Sequence, residues 1–236
     1  MPTPTPPPDT RRLYRQIADQ LTQLIAGGAY PVGTRLPPER ELALQFGVSR
    51  PSVREALTAL EVEGMVEVRG GSGVFVLPPS GAPRRRAMPV PAPGPFDVIR
   101  ARWIVESEAA ALAATHATPA QLQRLHDALR DMQASPSHNA AALDADHRFH
   151  LGIAEASGNS ALVMVTQQLW DARRGPLYMQ LESHFVGAQI WRAAVAEHSE
   201  ILHGIASRDA RAARAAMRKH MKNAELRFAS GWRPQG

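Results

Sequence analysis

The stretch LPPERELALQFGVSRPSVREALTALEVEGMVEVRGGSGVFV, from Leu36 to Val76, determines the fold of the N-terminal part of the chain. It predicts two short helices, a tight turn between them and a two-stranded hairpin. Pro38 suits the first turn of a helix, where its missing N–H leaves no intrahelical bond unmade. Gly47 supplies the left-handed residue that ends this helix, and Ser49 caps the next one. After Gly64, apolar and polar residues alternate around a Gly-rich turn, which is typical of a hairpin.

The polar residues of this stretch predict a DNA-binding surface. Two helices at a sharp angle, with arginines and small polar residues at the start of the second, are typical of a helix-turn-helix unit. Only the first turns of a helix inserted end-on into the major groove reach base edges, and arginine offers guanine two parallel donors. The residues clustered at that start are Ser49, Arg50, Ser52 and Arg54, and they cannot all face the core. The hairpin adds a wing to this unit.

The stretch resembles the DNA-binding domain of the GntR family of bacterial transcription regulators. The runs LPPERELA and SRPSVREALTALEVEG carry the resemblance. It implies operator contacts from three arginines and a serine, with a glycine at the tip of the wing. Pro51 stands where some relatives carry a hydroxyl residue. With the capping serine added, the predicted DNA-binding residues are Arg40, Ser49, Arg50, Ser52, Arg54 and Gly71.

The composition predicts a soluble protein of two domains. A chain of 236 residues is long enough for two units that each bury a core, and 44% apolar with 21% charged residues is ordinary for globular proteins. It has no run of about eighteen apolar residues, and its N-terminus, MPTPTPPPDT, lacks the apolar core of a signal peptide. The absence of cysteine excludes disulfides, thiol catalysis and cysteine-based zinc sites. These features predict a cytoplasmic location and no membrane partner.

The charge of the chain is unevenly distributed. A net charge of +5 suggests a polyanionic partner. Up to Ser80, however, eight arginines are balanced by eight aspartates and glutamates, so the basic excess lies further along the chain. DNA affinity is therefore predicted to come from local clustering at the second helix of the pair, and not from a field over the whole domain.

The predicted fold is mainly α: an N-terminal winged helix-turn-helix with a small β-hairpin, followed by an all-α antiparallel helical bundle. A first helix capped by Thr10 and ending at Ala26 precedes the helix pair. Within the pair, Leu42, Leu44 and Phe46 supply the apolar side chains of the first helix. The predicted divisions are a disordered lead-in (1–9), the winged unit (10–77), a Pro-rich linker (78–95), a helical metal- and effector-binding and dimerisation domain (96–230) and a tail (231–236).

Every segment after the linker is predicted to be helical. Alanine is abundant there, and neither a strand pattern nor an internal repeat occurs, which favours a helical bundle. Gly175 and Pro176 predict a break within the fourth helix, and Ser160 is its predicted cap. The predicted helices run from Phe96 to about His116, Thr118 to about Ser135, Asn139 to Ser157, Ser160 to about Leu181, Val186 to Ser207 and Asp209 to Ala229.

Four polar side chains occupy the centres of apolar stripes on three of these helices: Asp146, His150, His198 and His220. The first two are four residues apart and project from one helix face. Because an unpartnered buried polar group costs roughly 2–7 kcal/mol, these side chains need partners. One shared metal ion would satisfy all four, and three imidazoles with one carboxylate suit Zn²⁺ or Ni²⁺. The alternative is that each histidine bonds a separate neighbour in the core.

The same four residues, with the SGN of residues 157–159, are similar to the metal-binding effector domain of the FadR subfamily. Members with these positions bind a divalent metal that helps to hold a small carboxylate effector. The segment RARWIVESEAAALAA resembles the subfamily's first bundle helix, and its conserved arginine and glutamate map to Arg102 and Glu106. A guanidinium fork matches a carboxylate with two parallel bonds. The predicted effector-binding residues are Arg102, Arg100, Asn159 and Arg173.

These observations predict a homodimeric, ligand-responsive repressor that binds a pseudo-palindromic double-stranded operator. A metalloenzyme fused to a DNA-binding module is the alternative, because a His₃Asp site with open positions can activate water. No general base or nucleophile is placed near the four ligands by helical spacing, which argues against it. An acyl-CoA sensor is a third alternative, but such a cavity has no use for four chelating side chains.

Overall fold

The computed structural model describes residues 13–78, 93–135, 138–185 and 187–230. The chain divides into two compact units, one ending at Gly94 and the other running from Pro95 to Gln235. The predicted lead-in, tail and Thr10 cap lie outside the described residues, as does most of the predicted linker. None of the helices within those ranges has the length and apolar composition that a bilayer crossing requires.

The first unit is a three-helix arrangement with a hairpin, as the sequence predicts. Its elements are α1 (Leu13–Ala26), α2 (Glu39–Phe46), α3 (Arg50–Val62), β1 (Val66–Arg69) and β2 (Gly73–Val76). The two strands are antiparallel, with Val66 opposite Val76. α3 packs against both α1 and α2. This is the winged helix-turn-helix.

Local chemistry fixes the ends of α2 and α3. α2 starts directly after Pro38 and ends at Gly47, whose φ of 65° is left-handed. The Gly47 N–H then bonds carbonyl oxygens of the last turn. The Ser49 side chain accepts a hydrogen bond from the N–H of Ser52, which caps α3. The predicted roles of Gly47 and Ser49 are confirmed, whereas Pro38 lies one position before the first helical residue and not at it.

The apolar face of α2 differs from the prediction. Leu42 is fully buried, but Leu44 is 75% exposed, and the residue that joins Leu42 in the core is Ala43. Residues two apart on a helix point about 200° away from one another, so Leu42 and Leu44 cannot both face α3.

The second unit is entirely helical over its described residues, which confirms the predicted class. Its helices are α4 (Pro95–His116), α5 (Pro119–Ala134), α6 (Ala140–Ala156), α7 (Ser160–Arg173), α8 (Pro176–Ser183), α9 (Ala188–Ala206) and α10 (Ala210–Ala229). α4 lies at the centre and packs against α6, α7, α9 and α10. Its buried alanines, which include Ala109, Ala110, Ala113 and Ala114, permit this close approach.

The helix ends of this unit correct the prediction in one place. The break at Gly175 and Pro176 is confirmed, and it separates α7 from α8. The cap of α7 is Asn159 and not Ser160. Asn159 Oδ1 accepts hydrogen bonds from the N–H groups of Ala161 and Leu162, which leaves Ser160 as the first helical residue.

Candidate metal centre and DNA-contacting helix

The start of α3 presents most of the predicted DNA-binding residues to solvent. Arg40, Ser49 and Arg50 are exposed, and Ser52 is half-buried. The Ser49 and Ser52 hydroxyl oxygens lie 2.9 Å apart, so one hydroxyl donates to the other. Gly71, with a φ of 70°, is exposed at the turn of the hairpin. The geometry is that of a helix end with accessible donors.

Arg54 does not share that exposure, which corrects the expectation that its guanidinium faces a groove. Its side chain is completely buried. Arg54 Nε donates to Glu39 Oε1 over 2.6 Å, and Arg54 Nη2 donates to Glu39 Oε2. The pair therefore ties α3 to the first turn of α2. The reason is helical phase: Arg54 lies next to the fully buried Val53 and points toward α2.

In the second unit, three histidines from three helices converge in the core. One ring nitrogen of each of His150, His198 and His220 lies within 4.8 Å of the others, and all three residues are buried. His150 Nε2 and His198 Nε2 are 3.0 Å apart. Asp146 Oδ1 lies 3.3 Å from His150 Nε2 and 3.0 Å from His198 Nε2. The structure thus brings all four predicted metal ligands together.

The other ring nitrogen of each histidine is already engaged. His150 Nδ1 lies 2.5 Å from Glu106 Oε2, and His220 Nδ1 lies 2.8 Å from Glu197 Oε2. His198 Nδ1 lies 2.7 Å from the carbonyl oxygen of Ala194. Carbonyl and carboxylate oxygens only accept, so each Nδ1 carries the donated hydrogen. In the neutral rings the lone pair is then on Nε2, facing the centre.

The centre therefore contains more acceptors than donors. Asp146 Oδ1 is buried and has no hydrogen-bond partner among the described residues. Burial opposes the ionisation of Asp146, but the neighbouring rings of His150 and His198 hold its pKa well below the usual value. Burial lowers the pKa of His220 to about 3, so this ring is neutral at pH 7. A cation between these atoms would be bound by several acceptors at once.

The residues fit a divalent metal ion. Ligands placed about 2.0–2.1 Å from a tetrahedral zinc ion are roughly 3.3 Å from one another, so the 3.0 Å between the two Nε2 atoms needs only a small adjustment. Three imidazoles and one carboxylate match the donor preference of Zn²⁺ or Ni²⁺. When bound, the metal would supply positive charge for an anionic oxygen of a ligand.

A cavity of about 90 Å³ adjoins this centre. That volume has room for roughly six to nine water molecules, which is the size of a small organic molecule. Polar residues at its inner end include Asp146, His198 and His220, and aromatic side chains line other parts: Tyr178, Phe185, Trp191 and Phe228. Three arginines also line it, namely Arg102, Arg173 and Arg227.

Arg102 is placed to receive an anion. Its Nε and Nη2 donate to Glu106 over 2.6 and 3.3 Å, so Nη1 is left without a partner among the described residues. The guanidinium is stacked over Trp170, 4.6 Å from the ring centroid. Arg173 stacks on the same indole at 4.2 Å. Its Nη1 donates to Asp146 Oδ2 over 3.1 Å, so Arg173 orients one of the candidate metal ligands.

Two predicted effector-binding residues lie elsewhere. Arg100 has an exposed side chain, and its Nε donates to Glu225 over 3.2 Å. It is two positions from Arg102, so the two side chains point to nearly opposite faces of α4. Asn159 is exposed and uses its oxygen to cap α7. Neither residue lines the cavity.

Glu197 and Arg227 also belong to this site, and neither was predicted from the sequence. Glu197 is buried directly before His198, and its Oε1 accepts hydrogen bonds from Asn223 Nδ2 at 2.7 Å and from Arg227 Nη2. A carboxylate inside an apolar stripe was the available signal for Glu197. The partner residues are more than twenty positions away, so only the fold shows the contact.

A winged helix-turn-helix followed by a helical unit with a buried polar cavity defines a DNA-binding regulator with a ligand-binding domain. Residues 13–76 match the bacterial regulatory proteins of the gntR family, and residues 97–223 match the FCD domain. The chain therefore belongs to the GntR family and carries an FCD domain.

Individual relatives agree with this assignment. The chain is 37% identical over 224 residues to the Uxu operon transcriptional regulator of Escherichia coli K12, covering 92% of this chain and 87% of that protein. It is 36% identical over 226 residues to the Exu regulon transcriptional regulator of the same strain, covering 92% and 85%. A GntR family member from Pseudomonas syringae, with a TM-score of 0.52 and 22% identity over 92% of this chain and 85% of its own, supports the fold alone.

The predicted function class is thereby confirmed. The protein is a ligand-responsive, DNA-binding transcription regulator. Because its relatives are transcription regulators, the metalloenzyme alternative is not supported, and the protein is not an enzyme.

Proposed function

We propose that this protein is a cytoplasmic, homodimeric repressor whose operator affinity changes when a small carboxylate binds beside a divalent metal ion in the helical domain. The observation that carries this proposal is the convergence of three histidine Nε2 atoms and an unpartnered carboxylate oxygen next to a free guanidinium edge. One inner wall of the cavity thus offers two positive groups to the same ligand.

The metal is proposed to be held by Asp146, His150, His198 and His220. Each imidazole is fixed by a bond from Nδ1, so little side-chain reorganisation is needed on binding. Zn²⁺ and Ni²⁺ are the favoured ions, because both accept imidazole nitrogen with a carboxylate.

The ligand is proposed to be a small organic acid. Arg102 Nη1 offers donors to a carboxylate, while the metal takes another oxygen of the ligand. A cavity of about 90 Å³ does not accommodate a long acyl chain, which makes an acyl-CoA effector unsuitable.

The DNA contacts are proposed to come from the exposed helix start and the wing. Arg50 and Ser52 lie in the first turn of α3, Arg40 is exposed on α2, and Gly71 lies at the hairpin turn. A homodimer carries two such units, so its operator is a pseudo-palindrome whose half-site spacing matches the two-fold symmetry. The names of the two relatives, which refer to an operon and a regulon, support an operon as the target.

The proposal is tested in two steps. A thermal-shift screen of small carboxylates with and without added Zn²⁺ identifies the acid, because a ligand that binds the folded state raises the melting temperature. Operator titration at fixed salt then follows with wild type, His198→Ala and the exposed control His203→Ala on the same helix. We expect the acid to change operator affinity for wild type and the control only. An equal response from His198→Ala contradicts the metal-assisted mechanism.

A further inference from the structure

Two of the three candidate imidazole ligands are held in the same manner. In each case the imidazole Nδ1 donates to a buried carboxylate, and an arginine that lines the cavity donates to that same carboxylate. The third imidazole, His198, is held by the backbone carbonyl of Ala194. A carboxylate alone is enough to hold each of the first two imidazoles. The arginines that also donate to these carboxylates are therefore an additional feature.

The first group lies on α4 and α6. Glu106 accepts from Arg102 Nε at 2.6 Å and from His150 Nδ1 at 2.5 Å. Both contacts are buried, and Glu106 is 1% exposed.

The second group lies on α9 and α10. Glu197 accepts from His220 Nδ1 at 2.8 Å, and Arg227 Nη2 donates to its other oxygen. Asn223 Nδ2 donates to that oxygen as well, at 2.7 Å. Arg227 is half-buried and lines the cavity that contains His198 and His220.

We propose that Arg102–Glu106–His150 and Arg227–Glu197–His220 are two relays through which an anion in the cavity changes the affinity of the metal site. The inference rests on the proposed metal and carboxylate site and adds its regulation. Glu106 and Glu197 are positioning residues. Arg227 is a second arginine that receives the anion, in the same role as Arg102.

The physical basis is competition for one carboxylate. An arginine and an imidazole N–H share the negative charge of each glutamate, so a strong bond to one weakens the bond to the other. An anion that draws the guanidinium away leaves the carboxylate to accept more strongly from Nδ1–H, which makes the opposite nitrogen a better metal ligand. Anion and metal therefore reinforce one another, and the reinforcement is reciprocal.

The relay predicts that substitutions of Glu197 and Arg227 change the zinc affinity in opposite directions. Glu197→Gln removes the charged acceptor and weakens zinc binding, by about 10–100-fold. Arg227→Gln removes the competitor and tightens zinc binding, on the order of fivefold. In the double variant the effect of Arg227→Gln disappears, because the glutamate that transmits it is absent. A residue with only a structural role does not produce this pattern.

The experiment measures the zinc dissociation constant of the full chain by competition with a chromophoric chelator, without DNA or acid. The variants are Glu197→Gln, Arg227→Gln, the double variant and the control Glu200→Gln. Glu200 also joins α9 to α10, through Lys219, but it is exposed and contacts no imidazole in the described part of the chain. We expect the control to equal wild type.

Two results overturn the inference. One is weaker or unchanged zinc binding by Arg227→Gln. Because Arg227 is only partly buried, this variant is testable even if Glu197→Gln does not fold. The other is an equal effect of Arg227→Gln in both backgrounds, which indicates direct repulsion of the ion. If wild type itself does not bind zinc, the proposed metal site fails together with the relay. If wild type binds zinc and either of the two results above is found, only the relay fails.

Discussion

Both units bury an arginine–glutamate fork, and the two forks have different consequences. In the first unit, Arg54 donates through two nitrogens to Glu39 and holds α2 against α3. In the second, Arg102 donates through two nitrogens to Glu106, but that carboxylate also accepts from His150, and Arg102 lines a cavity. The first fork only joins two helices and is called the closed fork. The second also contacts His150, which lies beside the unpartnered oxygen of Asp146.

The difference shows that a buried charge does not by itself mark a ligand site. A buried ion pair satisfies both of its members at a cost in desolvation, and many such pairs only join two elements. A site is indicated where donors or acceptors remain after the internal pairs are made. Asp146 Oδ1 and Arg102 Nη1 are such atoms, and both lie at the same cavity.

The largest expected effect concerns the closed fork. Arg54→Ala leaves Glu39 without its buried partner and should reduce the free energy of unfolding of the first unit by roughly 3–5 kcal/mol. Urea denaturation of the full chain, followed by far-UV circular dichroism, measures the change. Arg50→Ala is the control, because Arg50 is exposed and its loss should alter stability by only about 0.5 kcal/mol. Equal stability of the two variants would remove the distinction between the forks.

The second prediction concerns zinc binding by the histidine cluster of the second unit. His198→Ala should weaken zinc binding at least on the order of a hundredfold, since even a lost supporting partner costs up to that factor. Elemental analysis after purification without chelator, combined with chelator competition, gives the occupancy. His203→Ala on the same helix should retain the ion. A His198→Ala protein with a full complement of metal contradicts the site.

A smaller effect is expected at the exposed end of α3. Arg50→Ala should cost roughly 1–3 kcal/mol of specific operator binding, while binding to random duplex at the same salt changes little. Fluorescence anisotropy with both duplexes separates these contributions. Loss of specificity by Arg54→Ala alone, with Arg50→Ala unaffected, would show that the buried arginine is released to read bases in the complex.

The smallest effect separates a fork from a point charge. Arg102→Lys keeps the positive charge beside Glu106 but cannot offer two parallel donors, so the acid should bind roughly tenfold more weakly. Operator binding in the absence of acid should stay near the wild-type value. The measurement is an acid titration of the zinc-loaded protein by calorimetry. A wild-type affinity for the acid would assign the clamp to another residue.

Much of this architecture was readable from short-range chemistry. Gly47 and Ser49 mark helix ends through backbone conformation and side-chain reach, and these properties belong to the residue itself. The i, i+4 spacing of Asp146 and His150 predicts a shared face in the same way. The convergence of these residues with His198 and His220 was inferred from a resemblance, because helix spacing alone does not bring three helices together.

The remaining differences have tertiary causes. The burial of Arg54 depends on where α2 lies, and the contact of Glu197 with His220 spans 23 residues. The exclusion of Arg100 from the cavity, by contrast, follows from helix phase once Arg102 is known to face inward. Asn159 was predicted to bind the effector and Ser160 to cap α7, but Asn159 is the cap and does not line the cavity.

The contact of Trp170 with the guanidinium groups of Arg102 and Arg173 has a practical consequence. The emission of an indole responds to the electric field across its ring, and two positive charges within 5 Å of the ring centroid dominate that field. An acid that attracts either arginine alters the field directly. The chain has three other tryptophans, so Trp170→Phe is needed to subtract their signal. The protein therefore carries its own optical sensor for occupancy of the cavity, readable without label or DNA.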